Sequence, residues 1–538
     1  MVSYPLVFAF IGFFVLVSIL VTYYTQKSTQ SAADFYVGGR KIPWIQTGIA
    51  MVGSYLSAAS FLGVAGDIGV KGVDRIWLAI GFFGGYMAVL MLIAGPLRNV
   101  GSYTVADAIY RRFPDKSVKL VVMITTVIVS LFYLVPQMVA AGKLFELIMG
   151  WNFLVVTVAT GILICIYIVF GGMKATLYNQ VIQALFLWVA MVVIVVIGIF
   201  MYYDGSITRI FEVAEGIVPP SIACKSPEAV AAAAGKSYPD AVAAVRSTLP
   251  DAPSAMTIGL QTPNILAQVS TVLALLFGTA GLPHILIMFY TVPSAKAAKK
   301  SVMLCIFALG IFYLCSLFLG FVCMYLVYPD LMQWMGSGET GLAVNMAVLK
   351  VSHTIGGQWL MAIAAAGSVA AVLSTSAGLM ITVASTVSHD FYKVYINRDA
   401  TEKQELAIAK VTTVLMSVIA ILLAVLLKQQ NVAWLVTLAF GISASAIFPV
   451  MLSNLWWKRF TRQAAIAGMV TGLVVSVFFI VLLLSGIETF LGLSTVGGPG
   501  IFGITVSFLV VLVVTACTRD RGPDVEGFFA LAHKEEEH

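Results

Sequence analysis

Charge is scarce in this chain. Only 10% of its 538 residues are Asp, Glu, Lys or Arg, against 60% hydrophobic, where a soluble globular protein carries about 25% charged residues. That shortage excludes an ordinary water-soluble domain. Histidine is nearly missing, with five in all. His353, His389, His533 and His538 fall in loops or at the ends of apolar runs, which leaves His284 alone within one. A membrane-embedded enzyme would need His, Asp or Glu gathered at ligand or catalytic spacing inside the bilayer, and five scattered histidines do not supply it. Six cysteines make no disulfide framework: Cys165, Cys305, Cys315, Cys323 and Cys517 lie in or beside apolar runs, and Cys224, in a polar loop, has no second cysteine there. No GxxxxGK[ST] stretch occurs, so the chain carries no P-loop for ATP. The tail after Cys517 is too short for the output domain of a sensor. A channel would need a continuous polar stripe through several spans. The net charge of +6 is no nucleic-acid footprint, because the basic residues sit in short connections between apolar runs.

What the chain has instead is apolar length. Runs of about 20 apolar residues, enough to cross a bilayer, recur from end to end, and the mean hydropathy is +0.98. The sequence predicts an all-α, multi-pass protein of the cell membrane. It places thirteen spans at residues 4–25, 44–70, 76–97, 120–149, 153–171, 176–203, 263–290, 301–327, 357–387, 406–427, 432–455, 464–485 and 500–517. The first has no basic n-region and no A-x-A site, so it reads as a retained helix and not as a cleaved signal peptide. Of the 31 basic residues, 22 fall in one alternating set of connections, among them Arg111, Arg112, Lys116, Lys296, Lys299, Lys300, Lys458 and Arg459. The positive-inside rule assigns that set to the cytoplasm, with the N-terminus outside and the C-terminus inside. Segments 204–262 and 328–356 are then external. The first, with its AVAAAAG tract, reads as a surface loop with some helix, and the second as a short helix over the outer mouth.

Three stretches are wrong for helices that only face lipid. Residues 42–72 carry Gly48, Gly53, Gly63, Gly66 and Gly69, with Ser54, Ser57 and Ser60 between them. Gly costs about 1 kcal/mol relative to Ala in a helix interior. Backbone freed at membrane depth must find partners within the protein or in a water-filled cavity. Two readings stand: a small-residue helix packed closely on its neighbours, or a broken helix lining a binding site. Residues 263–290 answer it, interrupted by Gly278, Thr279, Ala280, Gly281 and Pro283; Pro lacks a donor and clashes one turn back. Each interrupted span opens a run of five, and paired interruptions in two halves point to an inverted-repeat transporter. No residue-level repeat is visible, so the division rests on topology: 1–43 an extra helix and first cytoplasmic loop, 44–203 and 263–455 the two five-helix repeats, 204–262 an external loop, and 456–538 two further helices and a short tail. In the third stretch, 357–393, Ala371, Ser374 and Thr375 fall at i, i+3 and i+4 and share a helix face. Hydroxyls and a nearby carbonyl are neutral oxygens, which hard cations prefer. The other reading is that the hydroxyls bond their own i−4 carbonyls or a neighbouring helix.

The motifs DFYVGGR (Asp34–Arg40), GSYLSAASFLG (Gly53–Gly63), VFGGMKA (Val169–Ala175), GLPHI (Gly281–Ile285) and STSAG…SHDFY (Ser374–Tyr392) resemble the solute:sodium symporter family. SYLSAASFLG, RNVGSYTVADAIYRR, QMVAAGKLFEL and LFGTAGLPHIL are most similar to its cation/acetate symporters, the acetate permeases. The resemblance runs from the first cytoplasmic loop to about Trp457. It implies a LeuT-type fold of five plus five inverted helices, with one extra helix before and two after. It also implies Na+ as the coupling ion and no other cofactor, held by the carbonyls of Gly53, Leu56 and Ala371 and the hydroxyls of Ser374 and Thr375. Two positions depart from the family pattern. Asn179-Gln180 stands where many members have Thr-Asp, which puts a second sodium in doubt, and Met288 stands where many have Arg.

The implied activity is symport of sodium, or of protons in its place, with acetate or a related short monocarboxylate; another small solute such as proline, pantothenate or a sugar is the alternative. No protein partner and no nucleic acid is implied beyond the lipid bilayer. Helix N-termini suit anions, and the breaks would supply them at Ser57, Ala58 and Ser60 and at Gly278, Thr279 and Gly281. Tyr133 and Gln137, one turn apart, would add polar contacts. His284 is either part of this site or a structural histidine bonded to backbone. Lys143 and Glu146 read as an ion pair at i, i+3 near the outer end of their span, and Asp67 as a weak attractor of cations.

Overall fold

The computed structural model describes residues 5–27, 31–261, 264–428, 430, 432–487, 489–490, 493–494 and 499–534. Tyr4, Pro263 and residues 535–538, which the span boundaries and the tail include, lie outside the described residues. Ten helices are long and apolar enough to cross a bilayer, and two bent helix pairs bring the number to twelve. One of the ten, Phe153–Tyr202, is two helices joined at Gly172, so the described residues make thirteen crossings. Gly172 has φ +57°, and a Cβ there would sit 2.7 Å from the Phe35 ring. Only glycine fits a left-handed position pressed against a neighbour in this way.

In chain order the spanning helices are α1 (Pro5–Gln26), the pair α2 (Trp44–Tyr55) and α3 (Ala59–Lys71), α4 (Val73–Val100), α5 (Lys116–Met149), α6 (153–171) and α7 (173–202). The second run is the pair α8 (Ile265–Gly281) and α9 (Pro283–Tyr290), α10 (Ala295–Leu326), α11 (358–396), α12 (Glu402–Leu426) and α13 (432–456). Then come α14 (Arg462–Leu484), α15 (Pro499–Cys517) and the short cytoplasmic helix α16 (Val525–Ala532). The external segment between α7 and α8 folds into four short helices over 207–248. Between α10 and α11 lie Tyr328–Gly336 and a helix over 340–355 that turns into α11 at Gly356 and Gly357.

Burial separates the central helices from the rest. Every residue from 51 to 70 and from 364 to 386 is buried, whereas α1, α12, α14 and α15 turn Leu, Val and Phe outward, such as Phe13, Leu422, Val474 and Val513. The glycines explain how α2 and α3 reach the centre. A Cβ on Gly53 would lie 2.4 Å from the Gln180 carbonyl of α7, and one on Gly66 would lie 1.9 Å from the Val344 carbonyl. These helices are thus packed closely and broken at once: α2 and α3 meet at 61°, and α8 and α9 at 41°.

The cytoplasmic ends are tied by polar contacts. Arg112, 1% exposed, donates to the carbonyls of Asn454, Trp457, Lys458 and Phe460 at 2.8–3.1 Å, supplying a cation where α13 leaves its last carbonyls unpaired. Burial draws its guanidinium down to about 10. Lys119 bridges Asp107 (2.9 Å) and Asp390 (3.1 Å), and Glu405 binds His389 (3.0 Å) and Lys393 (2.9 Å). Burial raises the Asp107 carboxyl, but the hydrogen bonds and charges of His389 and Lys119 outweigh it and hold the group below the usual carboxylate range. Asp107, His389 and Asp390 converge as metal ligands might, yet the Lys119 ammonium is already the cation among them.

Candidate functional site

The first break is at Leu56, whose ψ of 93° leaves the helix. Helix α2 ends there, so the carbonyls of its last turn have no continuing ladder to accept from. Leu56 N–H still reaches the Val52 carbonyl at 2.8 Å, and the ladder restarts at Ser57, whose carbonyl accepts from Ser60 and Phe61 at 3.0 and 3.1 Å. The carbonyls of Gly53 and Leu56 flank this gap. A Cβ on Gly53 would lie 3.1 Å from Ser374 Oγ, so the end of α2 meets the hydroxyl face of α11.

That face is unusual within its own helix. Ser368, Thr382 and Ser388 each donate to the carbonyl four residues back, at 2.7–2.9 Å. Ser374 and Thr375 do not: their hydroxyls are fully buried and have no hydrogen-bond partner among the described residues. A buried polar group left unmatched costs about 1–3 kcal/mol, and native groups of this kind call for an explanation. Two hydroxyls of one face, opposite the broken end of another helix, fit a small cation whose ligands are neutral oxygens.

More unbonded groups adjoin them. A Cβ on Gly378, one turn beyond Ser374, would lie 2.8 Å from Ser54 Oγ, 3.1 Å from Gln180 Nε2 and 3.6 Å from His284 Cδ2. Gln180 Nε2 donates to the Ser374 carbonyl at 3.1 Å. Its Oε1, Ser54 Oγ and both His284 nitrogens have no partner among the described residues. His284 is therefore not the backbone-bonded histidine that was one of its two readings; it packs against the Tyr133 ring at 5.4 Å. Gly378 was missed in the sequence because nothing in its spacing marks it, and Ser54, noted there only as a small polar residue of the first interrupted stretch, was not assigned to a site. A glycine that admits three polar side chains is visible only once four helices are assembled.

The residues assigned to the substrate divide into two groups. Ser57, Ala58, Ser60, Tyr133 and Gln137 are all at most 4% exposed. They are grouped around the first break with aromatic rings: Tyr133 lies 5.3 Å from Phe440, which lies 5.3 Å from Phe82. The Gln137 amide has no partner for either polar atom, and Ser60 Oγ meets the Tyr313 hydroxyl at 3.3 Å. At the second break the polar atoms are already engaged. Thr279 donates to the Leu275 carbonyl (2.8 Å) and meets the Tyr55 hydroxyl (2.7 Å), and Ser443 donates to the Gly278 carbonyl (3.0 Å). A Cβ on Gly278 would lie 2.5 Å from the Phe440 carbonyl, and one on Gly281 2.8 Å from that of Ser443. These glycines let α8 press on α13, and Thr279 links one broken helix to the other.

On the outer side, Ala58 opens onto a narrow cavity of about 10 Å³ shared with Leu62, Ala140, Lys143, Leu144, Asn345, Met346 and Val432. Among the described residues, Lys143 is the only charged one lining it. The pairing with Glu146 read from i, i+3 spacing is corrected: Glu146 binds Lys428 of the α12–α13 connection at 2.7 Å, while Lys143 donates to the Gln430 carbonyl at 3.2 Å. Asp67 is likewise no open attractor of cations, because Lys71 (2.7 Å) and Arg75 (2.5 Å) pair with it.

Two broken helices at the centre of a helical membrane protein, with backbone carbonyls and side-chain oxygens gathered at one break, define a secondary transporter. The family model for the sodium:solute symporter family matches residues 35–472. The chain is 35% identical to the uncharacterized symporter YwcA of Bacillus subtilis, over 99% of this chain and 98% of that protein. It is 38% identical to the monocarboxylic acid transporter of Corynebacterium glutamicum, over 87% of this chain and 82% of that protein. Among solved structures, a Na+-coupled sialic acid symporter in its substrate-bound, outward-open state superposes with a TM-score of 0.73 at 15% identity, over 96% of this chain and 98% of the other. The nucleobase-cation symporter Mhp1, closed around a hydantoin, gives 0.52 at 11% identity, over 94% and 99%. The chain belongs to the sodium:solute symporter family. Its fold is the five-plus-five inverted repeat, and it is a multi-pass membrane transporter, not an enzyme.

Proposed function

We propose that this symporter couples inward sodium movement to uptake of acetate or another short monocarboxylate by alternating access. The ion would be held by the carbonyls of Gly53, Leu56 and Ala371 and the hydroxyls of Ser374 and Thr375. The carrying observation is that Ser374 and Thr375, unlike Ser368 and Thr382 of the same helix, do not bond their i−4 carbonyls, and that Ser374 meets the broken end of α2 at Gly53; Ser376 beside them is also without a partner among the described residues. The carboxylate would lie beside the first break, against Ser57, Ala58, Ser60, Tyr133 and Gln137. Support for an anionic solute comes from the cavity that Ala58 shares with Lys143, and from the monocarboxylic acid transporter among the relatives. The engaged polar atoms of Gly278 and Thr279 favour the first break over the second as the solute's position.

Counterflow into proteoliposomes with labelled acetate, propionate, pyruvate and proline tests the solute class. Exchange of one or more of the three monocarboxylates, with proline excluded, is expected. Exchange of proline alone would replace the monocarboxylate reading and leave the sodium site untouched.

A further inference from the structure

A second cavity lies on the cytoplasmic side, far from the breaks. It measures about 560 Å³ and is enclosed by the inner end of α4, the first turns of α10, the end of α13 and the residues after α16. Lys296, Lys299, Lys300 and Lys534 line it, and among the described residues no carboxylate does. The first three fall at i, i+3 and i+4 and project from one face of α10. None of the four forms an ion pair within 4 Å among the described residues. Like charges three and four residues apart repel, and these also stand at the positive end of a 32-residue helix. Lys300 also lies over the Trp44 ring, 5.8 Å from its centroid, and an anion among the lysines would relieve their mutual repulsion.

The cavity walls are of two kinds. Met91 and Met303, 74% and 59% exposed, open toward the bilayer side, and Trp456 stands at the rim as interfacial tryptophans do. The floor is the tail: Asn99 Nδ2 donates to the Ala532 carbonyl at 3.1 Å, and His533 Nε2 meets the Leu455 carbonyl at 2.9 Å. Gly95 leaves room for Lys299, whose Cε would be 2.8 Å from a Cβ there. Basic charge behind, apolar side chains toward the acyl region and a position at the inner leaflet match a phospholipid and not a free ion.

We propose that this cleft binds the phosphate-bearing headgroup of an anionic phospholipid of the cytoplasmic leaflet. Its acyl chains would lie along Met91 and Met303, and its phosphate among Lys296, Lys299 and Lys300. The lipid would then bridge α4, α10 and the docked tail.

Native mass spectrometry of the full chain, delipidated and titrated with phosphatidylglycerol, cardiolipin or phosphatidylcholine, tests this. The wild type should show one anionic-lipid event tighter than any phosphatidylcholine event. The triple variant Lys296→Gln/Lys299→Gln/Lys300→Gln should weaken it by about a hundredfold, at about fivefold per lysine. The control triple Arg398→Gln/Lys403→Gln/Lys410→Gln, which removes the same charge from the same membrane side, should leave it unchanged. Replacing the three cleft lysines with Arg should keep the event, and thermal unfolding in neutral lipid should match the wild type for all variants compared. Equal weakening in both Gln triples, or none in the cleft triple, would overturn the proposal. So would displacement of the lipid by millimolar inorganic phosphate or glycerol phosphate, which would make the site one for free phosphate. Binding seen only after removal of residues 535–538 would assign the cleft to the chain's own carboxylates and overturn it too.

Discussion

At the scale of residues, the account rests on what Ser374 and Thr375 leave undone. Membrane-helix hydroxyls ordinarily return to the carbonyl one turn back, as Ser368, Thr382 and Ser388 of α11 do, whereas Ser374, Thr375 and the adjacent Ser376 have no partner among the described residues. Removing either hydroxyl would take away one proposed ligand without disturbing a hydrogen bond, so folding should be spared while ion binding is not. Ser374→Ala and Thr375→Ala should each raise the half-saturation for sodium by about tenfold or more with unchanged expression; an unchanged sodium dependence in both would remove the site. Lys143 shows where local rules stop. Spacing along one helix pairs it with Glu146, but the partner of Glu146 is Lys428, brought in from 282 residues away, and such a pairing has no signature in either segment. As the only charge lining the outer cavity among the described residues, Lys143 should act on solute capture. Lys143→Gln should raise KM for acetate about tenfold with little change in kcat, and Lys143→Arg should restore it. A loss of kcat at constant KM would place Lys143 outside solute capture.

At the scale of elements, the spans were legible because bilayer crossing leaves long apolar runs, and the two broken helices because Gly, Ser and Pro interrupt such runs. The spans expected at 153–171 and 176–203 meet in the structure at Gly172, a left-handed glycine that ends one helix and starts the next. What the sequence could not rank was close packing against breakage in 42–72. Both occur: Gly53 and Gly66 admit neighbouring backbones, and Leu56 leaves the helix. The role of the second interruption was less legible, because the groups that engage Gly278 and Thr279 come from Tyr55 and Ser443 on other helices. If the first break faces the solute, bulk there blocks it. Ser57→Trp or Ala58→Trp should abolish uptake while the protein remains monodisperse in detergent, and near-normal acetate uptake by either would exclude this break from the pathway.

At the scale of the whole molecule, the unbonded oxygens of Ser54, Gln180, Ser374 and Thr375 lie where helices of both halves meet, and the charge carried per cycle would follow from what surrounds them. An anion entering a cell works against an inside-negative potential, at about 2.3 kcal/mol per charge per 100 mV. One cation moving with one monocarboxylate cancels that cost. Gln180 adjoins the Ser374 carbonyl with an amide and no charge, so on the proposed reading one sodium is expected there and not two. One sodium per monocarboxylate, or one proton where sodium is dispensable, makes transport close to electroneutral. A valinomycin potassium potential imposed at a fixed sodium gradient should then barely change accumulation; a several-fold rise with the inside negative would mean that a second cation crosses. The most direct measurement is simpler still: labelled acetate accumulation in proteoliposomes holding an inward sodium gradient and no other. The account predicts accumulation above equilibrium with sodium outside, none with equal sodium on both sides, and none in the Ser374→Ala/Thr375→Ala double variant. Accumulation that ignores the sodium gradient, or that persists in the double variant, would contradict it.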